Sequence, residues 1–264
     1  MGLRFAANLS MLWTDRAPYE RFDAAAAAGF TTVEMLFPQP LETDRVINRL
    51  EALGLTMALF DLNAGDFAAG ERGIAALPDR VMEFRKKAVD DLDLAYSLGV
   101  RTLTVLAGRR PESLPAEEAD ATLVENLTAL APQARERDIT LTLEAINQHD
   151  VPGYHVRTVG HAARVLESVD HPHVRMQFDQ YHVSREGQDP LCAYEQHRPI
   201  VAHVQIADAP GRHEPGTGKA PIMELLRRLD RDGYSGVVGL EYQPSDGGDD
   251  ASLEWLSRED RAHR

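Results

Sequence analysis

Apolar residues with strand-forming side chains recur in eight short runs, which longer segments of helical periodicity separate. Short apolar runs that end at glycine, proline or polar residues are typical of buried strands. The predicted strands cover 3–10, 31–37, 55–63, 102–108, 139–147, 174–182, 200–208 and 236–244.

The segments between these runs carry helical patterns. The predicted helices cover 18–29, 41–54, 78–99, 115–138, 158–170, 221–234 and 250–260, with a short, weaker one at 190–200. Gly29, Gly54 and Gly99 lie just before the next strand, where a glycine commonly ends a helix.

Regular alternation of strands and helices predicts parallel pairing, because parallel strands need a crossover between them. The predicted fold is therefore of the α/β class, a single-domain (β/α)8 TIM barrel over 1–264. The alternative is an open doubly wound sheet, but no G-x-G-x-x-G follows the first strand. The longest non-periodic insertion, 64–76, is expected to be a lid or binding loop.

Charge and composition argue against several classes of function. The formal net charge of −14 disfavours nucleic acid as a partner, since such binding depends on basic residues. No apolar run approaches the roughly 18–20 residues that span a bilayer, so no membrane association is expected. The three lysines, Lys86, Lys87 and Lys219, lie outside the predicted strands, which disfavours a Schiff-base aldolase.

Cysteine usage and the start of the chain point to the cytoplasm. Cys192 is the single cysteine, so neither an intrachain disulfide nor a cysteine metal cluster can form. The opening MGLRFAANLSML leads directly into a strand and predicts no signal peptide.

Polar residues at the ends of the predicted strands are the candidates for chemistry, because TIM-barrel active sites lie at these ends. Any one such carboxylate is usually a helix cap or a solvated group. Three carboxylates and one amide, however, follow one another on the last four predicted strands among apolar neighbours. The complete set is Glu34, Asn63, Glu144, Asp179, Gln205 and Glu241.

Burying three carboxylates costs several kcal/mol each unless a cation accompanies them. No lysine or arginine lies within these strand ends, so a divalent metal is expected. Glu144, Asp179, Gln205 and Glu241 offer only oxygen atoms, a set that suits Mg²⁺ or Mn²⁺ better than Zn²⁺.

Residues near this set are expected to bind substrate. Arg212 suits a substrate carboxylate, and His182 and Asn63 are further candidates. The glycine-rich segment 211–219 could instead bind phosphate. Two interpretations remain for His203: it belongs to the active site, or it is a hydrogen-bonded histidine in the core.

Several segments resemble the hydroxypyruvate isomerase family, which belongs to a wider superfamily of sugar isomerase and epimerase TIM barrels that includes endonuclease IV. They are RFAANLSMLW, VEMLFP, AGDFAAGERGIA, LEAIN and QIADAPGRHEPGTG. The resemblance covers essentially the whole chain.

This resemblance implies catalytic roles for Glu144 and Glu241 and a metal site formed by Glu144, Asp179, Gln205 and Glu241. It places His182 and Arg212 in contact with substrate. One departure concerns Lys219, where the family usually has glutamate. Homodimers and homotetramers are common among relatives.

The implied activity is conversion of hydroxypyruvate to tartronate semialdehyde (2-hydroxy-3-oxopropanoate) through an enediol, assisted by a divalent metal. Isomerisation of the four-carbon acid 2-oxo-tetronate is the close alternative. A metal-dependent endonuclease and a non-catalytic ligand-binding barrel are remote ones.

Overall fold

Eight parallel strands close into a barrel in this computed structural model, which describes residues 2–245 and 248–263. Each strand pairs with the next, and the last returns to the first through pairs such as Phe5 with Val238. The predicted (β/α)8 TIM barrel is therefore confirmed. The strands are β1 (Arg4–Asn8), β2 (Thr32–Met35), β3 (Thr56–Asp61), β4 (Thr102–Val105), β5 (Thr140–Glu144), β6 (Val174–Asp179), β7 (Val201–Ile206) and β8 (Val237–Leu240).

Helices α1–α8 lie between consecutive strands, and α9 and α10 follow the last strand. Gly54 and Gly99 end two of the helices in the left-handed conformation. No helix in the described part of the chain is long and apolar enough to cross a bilayer. The helices are α1 (Pro18–Ala27), α2 (Thr43–Leu53), α3 (Val81–Leu98), α4 (Ala116–Glu136), α5 (Val159–Val169), α6 (Gln180–Arg185), α7 (Pro190–His197), α8 (Ile222–Arg231), α9 (Gly248–Ser252) and α10 (Arg258–Arg261).

Each predicted strand extends two to four residues past the carboxyl end of the observed strand, and for two predicted elements the structure shows the reason for the difference. The strand predicted over 174–182 ends at Asp179, because the Asp179 carboxylate accepts a hydrogen bond from the Tyr181 backbone N–H at 2.7 Å and starts α6. The helix predicted over 250–260 is instead two short helices, α9 and α10. Ser257 starts the second of them by accepting the backbone N–H of Asp260.

A chain of buried polar side chains crosses the interior of the barrel. Thr104 donates to Gln177 at 2.6 Å, Gln177 donates to Gln205 at 2.6 Å, and Gln205 donates to Glu34 at 2.8 Å. These side chains come from β4, β6, β7 and β2, so they meet in the middle of the barrel. A Cβ at Gly239 would lie 2.3 Å from Glu34 Oε1, so glycine at this position leaves room for the carboxylate.

Candidate active site

A cavity of about 270 Å³ opens at the carboxyl ends of the strands. Asp61 at the end of β3, Glu144 at the end of β5 and Glu241 directly after β8 line it, together with apolar side chains such as Leu36 and Ile146. The cavity therefore lies where TIM-barrel enzymes carry their active sites.

Three of the predicted carboxylates converge here. Glu144, Asp179 and Glu241 are each at most 5% exposed. Burial raises the pKa of Glu144 well above its usual value, and the charges of Glu241 and Asp179 raise it further. Burial also raises the pKa of Asp179, whose carboxyl group is close enough to that of Glu241 to share a proton. These carboxyl groups therefore favour the protonated form unless a nearby cation stabilises the ionised one.

Asp61 is a fourth buried carboxylate in this cluster, which the sequence did not single out. Burial raises the pKa of Asp61 well above its usual value, and the charge of Glu241 adds to this effect. Asp61 lies two residues before Asn63, and in the predicted strand over 55–63 this spacing places both on one face, although β3 itself ends at Asp61. That spacing is the sequence signal that could have identified it.

Arg212 brings a positive charge to the cluster from the loop after β7. Its Nη2 donates to Glu241 Oε2 at 2.7 Å and lies 3.9 Å from Asp179 Oδ2. Burial lowers the pKa of Arg212, but the carboxylates of Glu241, Asp179 and Glu144 more than offset this and raise it above its usual value. Although no basic residue lies at the strand ends themselves, a loop arginine therefore reaches them.

The buried carboxylate of Asp208 holds this loop in place. It accepts the backbone N–H groups of Ala209, Gly216 and Ala220 at 2.8–3.0 Å. Arg212 itself has a φ of 58° and donates its backbone N–H to the Asp208 carbonyl. The glycine-rich segment is thus arranged around a carboxylate, which disfavours a bound phosphate at the same backbone donors.

His182 points a proton-bearing nitrogen toward the carboxylates. Asn147 Nδ2 donates to His182 Nδ1 at 2.6 Å, and contacts of the same amide with Asp150 fix its orientation. The neutral ring therefore carries its proton on Nε2, which lies 3.5 Å from Asp179 Oδ2 and 3.9 Å from Glu144 Oε1. Burial and Arg212 lower the pKa of His182 well below its usual value, which keeps the ring neutral.

Gln205 and Asn63 lie beside the cavity and do not line it. The Gln205 amide oxygen accepts from Gln177 and its nitrogen donates to Glu34, so both ends of the amide have partners. Asn63 Oδ1 accepts the backbone N–H of Gly65. Asn63 thus shapes the start of the loop over 64–76.

Asp91 on α3 is hydrogen-bonded to the backbone of Asn63 and should make the stability of the protein depend on pH. The Asp91 carboxylate accepts the backbone N–H of Asn63 at 2.6 Å, and burial raises the pKa of Asp91 to about 6. Because the folded state binds this proton more tightly than the unfolded chain, its contribution to stability is present at about pH 4 and is lost as the pH rises through about 6.

We therefore expect the free energy of unfolding of the wild type, relative to Asp91→Asn, to fall by about 2 kcal/mol between pH 4.5 and 7.5. Urea denaturation of both proteins at the two pH values measures this difference. A relative gain in wild-type stability at pH 7.5 would show instead that the folded state prefers the ionised carboxylate.

The carboxylate cluster fits a divalent cation. Glu144, Asp179 and Glu241 face one cation, Arg212, and an ionised Asp179 Oδ2 has no hydrogen-bond donor within residues 2–245 and 248–263. Ligand atoms of Glu144, Asp179 and His182 lie within 4.8 Å of one another. The proton on His182 Nε2 leaves the carboxylates as the better ligands, and Gln205 would have to release Gln177 to join them.

A second group with metal-ligand side chains lies between α4 and α5. His155 Nε2 and His161 Nε2 both contact Asp120 Oδ1, at 2.8 and 2.7 Å. These are ordinary hydrogen-bond distances. Direct hydrogen bonds therefore account for this cluster, which ties the segment after β5 to α4.

The loop over 64–76 forms one wall of the cavity. It contributes Phe67 and Arg72, and Phe67 packs against Phe37 with a ring-centroid distance of 4.9 Å. Gly73 brings this loop close to the end of β4, where a Cβ would lie 2.1 Å from the Leu106 carbonyl oxygen. The insertion is thus part of the site, whereas Lys219 is exposed and outside the cavity lining.

Comparison with known proteins agrees with this architecture. The profile of the family described as xylose isomerase-like TIM barrel matches residues 22–259. The chain is 37% identical to hydroxypyruvate isomerase of Escherichia coli K12, over 96% of this chain and 98% of the relative. It is 39% identical to 2-oxo-tetronate isomerase of Cupriavidus necator, over 96% and 97%.

Solved structures show the same fold. A Brucella melitensis protein described as AP endonuclease, family 2, superimposes with a TM-score of 0.93 at 37% identity, over 96% of this chain and 98% of that one. D-psicose 3-epimerase of Clostridium cellulolyticum H10 has a TM-score of 0.77 at 18% identity, over 100% and 96%, and shares the fold.

The fold and the relatives that match almost the whole chain together identify an enzyme, a sugar-acid isomerase. The chain belongs to the hydroxypyruvate isomerase family within the xylose isomerase-like TIM barrels, and it is an isomerase.

Proposed function

We propose that this enzyme interconverts hydroxypyruvate and 2-hydroxy-3-oxopropanoate. The observation that carries the proposal is the pair of buried glutamates, Glu144 and Glu241, which line one small cavity together with arginine side chains. Isomerisation needs a base at one carbon and an acid at its neighbour, and two carboxyl groups can supply both. The arginines suit an acidic substrate.

The reaction balances without an external oxidant or reductant. One glutamate carboxylate takes a proton from C3 of hydroxypyruvate, which forms an enediol between C2 and C3, and the other glutamic acid delivers a proton to C2. The hydroxyl proton moves from the oxygen on C3 to the oxygen on C2. In the reverse direction Glu144 and Glu241 exchange roles.

The surrounding side chains hold these groups in position. Arg212 orients Glu241 through its 2.7 Å hydrogen bond. His182 can donate its Nε2 proton to a substrate oxygen, because Asn147 occupies Nδ1. His182 and Glu241 are each 4% exposed, and this burial strengthens both interactions.

A hard divalent cation fits this mechanism as a cofactor. Glu144, Asp179 and Glu241 would hold Mg²⁺ or Mn²⁺, since such ions prefer oxygen ligands. A cation held by these residues would supply Lewis-acid polarisation of the substrate oxygens.

A four-carbon substrate is the second candidate. The Cupriavidus necator relative named 2-oxo-tetronate isomerase is as similar to this chain as the hydroxypyruvate isomerase is, at 39% against 37% identity. Both substrates carry a carbonyl next to the carboxylate and a hydroxyl on the adjacent carbon. The net charge of −14 favours such small molecules over the DNA that an endonuclease would bind.

Proton NMR in D₂O tests the proposal. Each acid is incubated with EDTA-treated enzyme and with enzyme to which Mg²⁺ or Mn²⁺ is restored, and EDTA is added again before each spectrum. We expect 2-hydroxy-3-oxopropanoate from hydroxypyruvate, and a faster conversion of 2-oxo-tetronate would favour the second candidate. If neither acid were converted under any metal condition, both candidate substrates would be excluded.

A further inference from the structure

Two arginines line the cavity, and they differ in what they contact. Arg212 is hydrogen-bonded to the Glu241 carboxylate at 2.7 Å. Arg72, from the loop over 64–76, donates from Nη1 to the backbone carbonyls of Phe67 at 3.1 Å and Glu71 at 2.8 Å. A carbonyl carries no net charge, so these bonds orient the Arg72 guanidinium without neutralising it.

The carboxylate next to Arg72 in the chain has another partner. Glu71, its chain neighbour, is paired with Arg80 at 2.7 Å. Within residues 2–245 and 248–263, Arg72 forms no ion pair, and its Nε and Nη2 have no protein acceptor. Arg72 is therefore a cation at the cavity with donors available to a ligand.

Packing fixes the position of this cation. The Arg72 guanidinium lies over the Phe67 ring, 3.9 Å from its centroid, and Phe67 packs in turn against Phe37. Such stacking leaves the edge of the guanidinium free for a planar acceptor. Burial lowers the pKa of Arg72, and nearby Arg109 lowers it further, so a bound anion would relieve unfavourable positive charge.

We propose that Arg72 binds the carboxylate of the substrate and so makes the enzyme selective for sugar acids over neutral sugars. The assignment rests on the proposed function. Arg212 is then a positioning residue for Glu241, because its Nη2 is already engaged there. A planar carboxylate can accept two parallel hydrogen bonds from one guanidinium, which a hydroxymethyl group cannot.

Steady-state kinetics of Arg72→Met and Arg72→Lys tests this assignment. For Arg72→Met we expect the KM for hydroxypyruvate to rise by about 10- to 100-fold, with kcat within about threefold of wild type, because a uniform binding contact is lost. Arg72→Lys keeps the charge but not the paired donors, so an intermediate KM is expected. The ratio of kcat/KM for hydroxypyruvate to kcat/KM for dihydroxyacetone, which has a hydroxymethyl group in place of the carboxylate, should therefore fall in Arg72→Met.

Arg45→Met is the matched control, because Arg45 stacks on Tyr19 at 3.8 Å outside this cavity. Its kinetics should equal those of the wild type. Circular dichroism and the thermal midpoint show whether each variant folds. An unchanged KM in folded Arg72→Met would overturn the assignment.

A binding measurement separates this inference from the proposed reaction. Glycerate has the carboxylate but a hydroxyl group in place of the ketone, and glycerol is its neutral counterpart. Saturation-transfer NMR reports the binding of each. We expect glycerate to bind to the wild type and more weakly to Arg72→Met, even if hydroxypyruvate is not the substrate. Equal binding of glycerate to both proteins, or none to the wild type, would contradict a carboxylate site at Arg72.

Discussion

Glu241→Gln and Glu144→Gln are each expected to lower the kcat for isomerisation by about 10²–10⁴-fold, the usual contribution of a general acid or base. Glutamine keeps the shape of the side chain but can neither take nor release the proton. The rate of deuterium incorporation from D₂O into product, followed by NMR, measures this loss directly.

Glu136→Gln is the control for this pair, because Glu136 is an exposed glutamate on α4. It should retain full activity. Thermal midpoints must also be compared, since Glu241→Gln leaves Arg212 without its 2.7 Å carboxylate partner. If either folded active-site variant turned over at the wild-type rate, that glutamate would have no role in proton transfer.

Glu34→Ala is expected to lower the free energy of unfolding by about 3–5 kcal/mol. Glu34 does not line the cavity, so this is an effect on stability. The Glu34 carboxylate is 0% exposed and accepts hydrogen bonds from Asn8 at 3.0 Å and from Gln205 and His203 at 2.8 Å. Removing it leaves three buried donors without an acceptor. Urea denaturation at constant pH measures the loss.

Glu136→Ala serves as the matched control, because its carboxylate is exposed, and its effect should stay within about 0.5 kcal/mol. The loss of unfolding free energy for Glu34→Gln should lie between the losses for Glu34→Ala and Glu136→Ala. The glutamine amide keeps one acceptor but turns a donor toward other donors. A loss below about 1 kcal/mol for Glu34→Ala would mean that water replaces the carboxylate inside the barrel.

The fold was predictable because its signals are local. Each strand is a short apolar run and each helix has its own periodicity, so the number and order of elements follow from patterns within a few residues. The ends of elements were less certain. Strand β6 ends at Asp179 because a single side chain caps the next helix, and an apolar pattern does not reveal such a cap.

The site was predictable in part for the same reason. Glu144, Asp179 and Glu241 lie at strand ends, and in a parallel barrel all such ends meet at one rim. Asp61 also lies there, as the last residue of β3, whereas the predicted candidate Asn63 follows the strand and does not line the cavity. Arg72 was found only in the structure, because its loop carries no periodic pattern to locate its side chains.

The sequence by itself determined the barrel, the family and the acidic strand ends, because each depends on residue type and spacing along the chain. The tertiary structure alone decided which partner each polar group takes. It directs Gln205 toward Glu34 and Gln177, Arg212 toward Glu241, and Arg72 toward the cavity. Hydrogen bonds and ion pairs depend on distances of a few ångströms between residues far apart in sequence, and only the closed barrel fixes those distances.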